Sequence, residues 1–274
     1  MKLVFKFSQK RGFMTRLFII TMILVTAGLA TSARDARADR RSFLETYEYM
    51  TMPEGDLELE FWNRETRAAF ASETARSYEL EIEVEYGITS HWDIALYQVF
   101  GQVDDPVTPA GGQPFGYRRT NLETRYRLGE RGSSPVDTLL YFEIEKAFGE
   151  DKWGFEPKLI LARDFGKLTA VVNIIPEIEL ETEEEPSGET ELEVEFEPGW
   201  SVGVSYEVSP KLKIGAETFG AVTSPFSDAV VEAFAGPSVS WAPSHKVWIA
   251  TTAAFGLTTD TDAFLLGFII GLGI

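Results

Sequence analysis

The sequence predicts an all-β fold of about twelve antiparallel strands, and three observations carry that expectation. First, apolar and polar residues alternate with period two along most of the chain after residue 55, as side chains do on the two faces of a strand. Second, no stretch after residue 40 shows the 3.6-residue period of an amphipathic helix. Third, the connections differ in kind along the chain. Those at 65–76, 102–116, 148–152 and 183–188 are wide or charged, while most of those between them are short turns, 129–135 excepted.

In chain order, residues 1–38 read as a cleaved secretory signal peptide. Lys2, Lys6, Lys10, Arg11 and Arg16 precede the apolar run Leu17 to Ala30, and Ala36-Arg37-Ala38 supplies a small-residue cleavage site. The apolar run is too short for a membrane-spanning helix. Residues 39–55 form a polar lead-in, expected to lie in the periplasm, that ends in the turn Thr51-Met52-Pro53-Glu54-Gly55. Residues 56–274 make the strand domain.

Its first strand, 56–64, sets Leu57, Leu59 and Phe61 against Glu58, Glu60 and Trp62. The second, 77–88, has the clearest alternation. Tyr78, Leu80, Ile82, Val84 and Tyr86 take one parity, and Glu79, Glu81, Glu83 and Glu85 the other. Strands at 92–101, 117–128, 136–147, 153–163 and 167–182 follow, the last with Glu177, Glu179 and Glu181 on its polar parity. At 189–207 the ladder recurs, with Glu191, Glu193, Glu195 and Glu197 opposite Leu192, Val194 and Phe196. Strands at 211–222, 229–241, 246–257 and 262–274 complete twelve.

Alternation alone fits a soluble β-sandwich as well as a barrel in a membrane. Strand length favours the barrel. Several strands keep alternation for ten residues or more, near the roughly 9–11 that a tilted membrane strand needs. The polar parity also mixes Gly, Ser, Asn, Tyr and both charges, as a lumen would. Trp92, Trp241 and Tyr206 fall on the apolar parity beside short turns, and Trp153 on it beside a longer loop; aromatic girdles at the two membrane interfaces have this placement. The reading is therefore an antiparallel up-and-down transmembrane β-barrel in a Gram-negative outer membrane. Both of its ends face the periplasm, and 65–76, 102–116 and 183–188 lie outside. Leu80, Ile82, Val172, Ile174, Val202, Val204, Phe268 and Ile270 then face lipid.

Three features together resemble a known family. The Thr51-Met52-Pro53-x-Gly55 turn leads into a strand of alternating Glu, Tyr86-Gly87-Ile88-Thr89 makes a tight turn, and a hydrophobic-Gly alternation ends the chain. Over roughly residues 45–274 this is similar to the outer-membrane transporters grouped with phenol-degradation (MetA-pathway) gene clusters. The resemblance implies a barrel with a transport role and carries over no catalytic residues. The sequence departs from it in ending on Ile274 rather than an aromatic residue; Phe268 is the last aromatic.

Charge and composition narrow the function. Loss of residues 1–38 leaves 18 basic and 42 acidic residues, a formal net charge of −24. No basic stripe remains for nucleic acid. Cysteine is absent, so neither a disulfide framework nor a thiolate metal site arises. An enzyme needs a base beside its nucleophile, yet the only histidines, His91 and His245, fall in short turns. Glu at i and i+2 offers oxygen ligands to Ca²⁺ or Mg²⁺, but no tight loop mixes them with carbonyls. No cofactor or metal is expected, and no catalytic residue.

The Glu ladders are the remaining signal. Residues 79–85, 177–181 and 191–197 carry eleven Glu, more than inward Arg125, Arg127, Lys158, Lys211 and Lys213 offset. Dry burial of so many ionised groups is too costly, so a hydrated, cation-attracting lumen is expected. The proposed solute path runs along Glu79, Glu81, Glu83, Glu85, Glu177, Glu179, Glu193 and Glu195, with Arg125 and Arg127. The expected function is a channel or transporter for small, preferentially cationic solutes, its other partners being outer-membrane lipid and the barrel-assembly machinery. The alternatives are a closed structural or binding barrel in which these carboxylates only keep the interior hydrated, and, further off, an outer-membrane enzyme.

Overall fold

The computed structural model describes residues 40–70, 74–106, 111–184 and 190–274; the signal-peptide reading falls outside them. Twelve strands close into one antiparallel barrel: β1 Leu57–Arg67, β2 Arg76–Thr89, β3 Trp92–Asp104, β4 Gly112–Arg127, β5 Asp137–Ala147, β6 Lys152–Phe165, β7 Leu168–Glu184, β8 Thr190–Ser209, β9 Leu212–Thr223, β10 Val230–Trp241, β11 Val247–Gly256 and β12 Phe264–Gly273. Each strand pairs with its chain neighbours, and β1 closes the ring on β12, from Glu58 opposite Gly273 to Arg67 opposite Phe264. Closure leaves no unpaired edge, which a membrane requires. The main difference in boundaries is β4, which starts at Gly112 rather than 117, because Val103 and Asp104 pair with Gln113 and Gly112.

The two faces divide as the pleat dictates. None of the eight residues assigned to lipid is buried, and Val172, Ile174, Val204 and Phe268 are fully on the outer surface. Tyr86, Trp92, Tyr126, Tyr206 and Trp241 are exposed near the short-turn end, and Trp153 near the other, an aromatic belt at each end of an apolar band. Inside, the polar parity of β1–β7 presents Glu58, Glu60, Glu81, Glu83, Glu85, Glu123, Arg125, Glu143 and Lys158, all buried. The interior of β8–β12 is mostly small and apolar, with Gly203, Ser238, Ala250, Thr252, Leu265 and Ile269, interrupted by the buried Glu217 on β9 and the Glu residues of the outer part of β8.

Most of the lead-in packs inside the barrel. Arg41–Leu44, Thr46–Tyr49, Thr51 and Met52 are buried. From the short-turn end, where Arg40 donates to the Pro210 carbonyl, the chain climbs to Leu44–Tyr47 and returns to the rim at Thr51, beside the Ser90 carbonyl and ahead of β1. Phe43 joins the cluster of Leu139, Tyr141, Ile160 and Val171, and Leu44 that of Trp62, Trp248 and Ile269. These apolar side chains had no second layer to pack against in the sequence reading; the lumen supplies it.

Candidate functional site

The site is built from the plug formed by residues 41–52 and the cavity above it. Three wall residues hold the plug by its backbone. Glu217, on β9 and 3% exposed, accepts hydrogen bonds from the N–H groups of Leu44 (2.8 Å), Glu45 (3.0 Å) and Thr46 (2.9 Å), and from the hydroxyls of Thr46 (3.0 Å) and Thr252 (2.6 Å). Asn173 on β7 bonds Tyr47 in both directions: the Tyr47 N–H donates to its Oδ1 (2.8 Å) and its Nδ2 donates to the Tyr47 carbonyl (3.0 Å). Asp93 on β3 accepts the Met52 N–H at 2.8 Å. Backbone groups that have no ladder partner are satisfied this way rather than left buried and bare.

The plug's side chains fit the wall by shape. A Cβ on Gly203 would stand 2.7 Å from the Phe43 ring, and one on Gly267 only 2.3 Å from Leu44 Cδ2. Only glycine admits the plug at those two positions. The Arg41 guanidinium lies 3.9 Å from the Tyr47 ring centroid and 4.4 Å from that of Trp62, a desolvated cation–π arrangement. Glu48 closes the plug on itself by accepting from the Ser42 hydroxyl at 2.9 Å. At the rim the Tyr49 hydroxyl donates to the Gly129 carbonyl, and Arg131 pairs with Asp164 at 2.6 Å. The hydrogen bonds to Asp164 hold the Arg131 guanidinium above its ordinary pKa.

This packing changes the expectation of a wholly hydrated lumen. Glu58, Glu60, Glu83, Glu85 and Glu123 are each at most 3% exposed. Burial of Glu58, Glu60, Glu85 and Glu123 becomes tolerable because donors converge on them. Arg125 reaches Glu85, Asp93 (2.8 Å) and Glu123 (3.3 Å). Trp248 Nε1 donates to Glu58 at 2.6 Å and Trp62 Nε1 to Glu60 at 2.8 Å.

Above the plug lies a cavity of about 370 Å³, with Leu44, Glu45 and Tyr47 as its floor. Seven carboxylates line it (Glu45, Glu81, Glu143, Glu145, Glu156, Glu177 and Glu232) against three cations, Arg64, Arg119 and Lys158. Arg64 pairs with Glu45, Glu79 (both 2.7 Å) and Glu81 (3.3 Å); Arg119 with Glu79 (2.8 Å) and Glu145 (2.9 Å); Lys158 with Glu156 (2.7 Å). Further out, β7 and β8 set like charges face to face: Glu177 opposite Glu197, Glu179 opposite Glu195, Glu181 opposite Glu193. Such pairs repel unless water or a cation intervenes; Lys152 reaches Glu179 at 2.5 Å.

The ten residues of the proposed path therefore do not share one place. Glu81 and Glu177 line the cavity, and Glu79 stands behind it on Arg64 and Arg119. Glu83, Glu85 and Arg125 are sealed beneath, beside the plug. Glu179 and Glu195 continue outward, and Glu193 is exposed at the long-loop rim. Arg127 is at the opposite rim, where it donates to Thr51 Oγ1 at 2.9 Å and to the Ser90 carbonyl. Sequence reasoning missed Glu217 and Asn173. Each interrupts a run of small or apolar residues on an inward parity, and such a lone polar position was the available signal. His91 sits between Ser90 Oγ (2.9 Å) and Glu130 (3.1 Å) on an exposed turn, away from this cavity.

The NanC porin superposes with a TM-score of 0.51 at 10% identity, over 80% of this chain and 98% of that one. The KdgM porin in complex with disordered oligogalacturonate gives 0.50 at 7% over 79% and 97%. The translocator domain of autotransporter NalP from Neisseria meningitidis gives 0.51 at 9% over 96% and 97%. The fold is thus that of the outer-membrane β-barrels. By sequence, residues 35–265 match a family of unknown function (DUF6662), and the chain belongs to that family. No curated protein matches it in sequence. Of the resemblance drawn from the short turns, the outer-membrane barrel stands; the family matched is a different one.

Proposed function

We propose that this protein is an outer-membrane channel for small solutes, weakly cation-preferring, and held shut toward its short-turn end by its own residues 41–52. One observation carries the reading: the cavity above the plug has seven carboxylates against three cations. Carboxylates on a low-dielectric wall focus a field that enriches cations. The porin folds of NanC and KdgM support a solute passage. The oligogalacturonate of the KdgM complex is a polyanion, which an acidic cavity disfavours. Outer-membrane lipid around the apolar band and the barrel-assembly machinery during insertion complete the partners. The chain is read as a channel rather than an enzyme because its histidines stand on turns outside the cavity.

A second reading, a closed barrel that binds without conducting, is favoured by the five hydrogen bonds on Glu217. Planar bilayers under a KCl gradient separate the two. Glu217→Ala, which removes the carboxylate that holds Leu44, Glu45 and Thr46, should open long-lived levels absent from the unmodified protein, with a reversal potential of cationic sign. Glu177→Gln, Glu179→Gln and Glu195→Gln added to it should move that potential toward zero. About 1 M salt should do the same, since screening then acts within roughly 3 Å. Silence of a folded Glu217→Ala barrel selects the closed reading.

A further inference from the structure

We propose that the cavity above the plug is a binding site for an organic cation with an apolar body, an aromatic or alkyl ammonium ion. The proposal rests on the channel reading only in taking the long-loop mouth as the way in.

Three features of the cavity converge on that chemistry. Its cations are already committed to carboxylates at 2.7–3.3 Å, so none is spare for an anionic ligand. Glu177 is in the opposite state: among the described residues it makes no hydrogen bond or ion pair, and the charges that act on it most strongly are carboxylates, Glu156, Glu179, Glu145 and Glu197. A mobile cation is what that position lacks.

Asn121 provides an independent sign. It is 2% exposed and lines the cavity. Its Nδ2 donates to Glu143 and to Glu145 (3.2 Å), which fixes the amide orientation, and its Oδ1 is left without a donor. A buried acceptor without a donor is uncommon. Beside two carboxylates, the missing partner is a positively charged donor or the polarised C–H groups of an ammonium ion.

The far wall tells organic cations from metal ions. The barrel order places β9 and β10 across from β3 and β4. There Phe219 and Phe234 stack with centroids 5.5 Å apart and line the cavity, with Trp62 and Leu44 completing an apolar side. Hard metal ions take a tight cage of oxygens, and among the described residues no three acidic or histidine side chains are grouped to hold one. An aromatic face opposite a carboxylate face suits a ligand with an apolar body and one positive charge. A cavity of about 370 Å³ is within the range that holds such a molecule.

The test uses the full mature chain folded in detergent micelles, with benzyltrimethylammonium as the probe and titration calorimetry as the readout. One probe per barrel should bind, while benzyl alcohol and benzoate should not. Tetramethylammonium, lacking the ring, should bind more weakly. Glu177→Gln, which breaks no contact in the fold, should weaken the probe by about fivefold, and Phe219→Leu should weaken it while leaving tetramethylammonium unchanged. Absence of probe binding, equal affinity in Glu177→Gln, or equal binding of benzyl alcohol overturns the proposal. The channel reading fails separately: binding with a silent Glu217→Ala barrel removes conduction and keeps the site, and conduction without binding does the reverse.

Discussion

The two inner walls of this barrel solve the same problem with different chemistry. From β1 to β7 the wall carries most of the buried charge beside an apolar patch of Leu139, Ile160 and Val171, and its carboxylates are matched by Arg125, Lys158, Arg64 and tyrosine hydroxyls such as Tyr47 on Glu123 at 3.2 Å. From β8 to β12 the wall beside the plug has Glu217 as its buried carboxylate, and shape does most of the fitting: Phe43 and Leu44 of the plug sit where Gly203, Gly215 and Gly267 leave room. The plug is two-faced to suit, with Arg41 and Tyr47 toward the first wall. A charged wall depends on every partner being present, because one loss strands the others. A small wall depends on nothing being added.

That contrast orders the expected effects. Arg125→Ala should be the most damaging change, since it leaves Glu85, Asp93 and Glu123 buried without their shared cation. A loss of about 3–5 kcal/mol is expected, read from the urea midpoint of the folded barrel in detergent. An effect below that of the small-wall variants would mean that water reaches this cluster. Gly267→Val should come next, at about 1–3 kcal/mol, through the collision with Leu44. Its signature is release of the plug rather than of the barrel: a protease site placed at Glu45 should become cleavable while the heat-modifiable gel mobility persists. Smallest is Arg131→Ala, which removes a half-exposed rim pair with Asp164 and should cost less than about 1 kcal/mol. A larger loss there would show that the rim, not the walls, secures the plug.

The same contrast explains what the sequence could show. Where the inner wall is charged, alternation is unambiguous: β2 reads Glu79-Leu80-Glu81-Ile82-Glu83, and strand, face and register follow. In β12 the inward Leu265 and Ile269 are as apolar as the outward Leu266 and Ile270, so only the glycines distinguish the faces. The count of twelve strands and the closed ring were legible because turns and strand lengths punctuate both kinds of wall. The plug was not. Residues 40–52 have no period, and their Phe43 and Leu44 gain meaning only when the glycines opposite them, some 160 to 220 positions later, come within contact. For the same reason the Glu ladder, one motif in sequence, is divided in space between a sealed base and an open mouth.

The last residues of the plug stay fastened whatever the rest does. Gly55 N–H donates to the Gly87 carbonyl at 2.9 Å and Gly87 N–H to the Asp56 carbonyl at 3.1 Å, so the segment is leashed to the end of β2. Swung out, residues 40–52 remain within roughly 45 Å of the mouth at full extension. Recapture is then a first-order event, with a local concentration on the order of millimolar. Blocking would depend on neither how much protein the membrane holds nor any diffusing factor. A free peptide of residues 40–52 would need to approach that concentration to stand in for the leashed one.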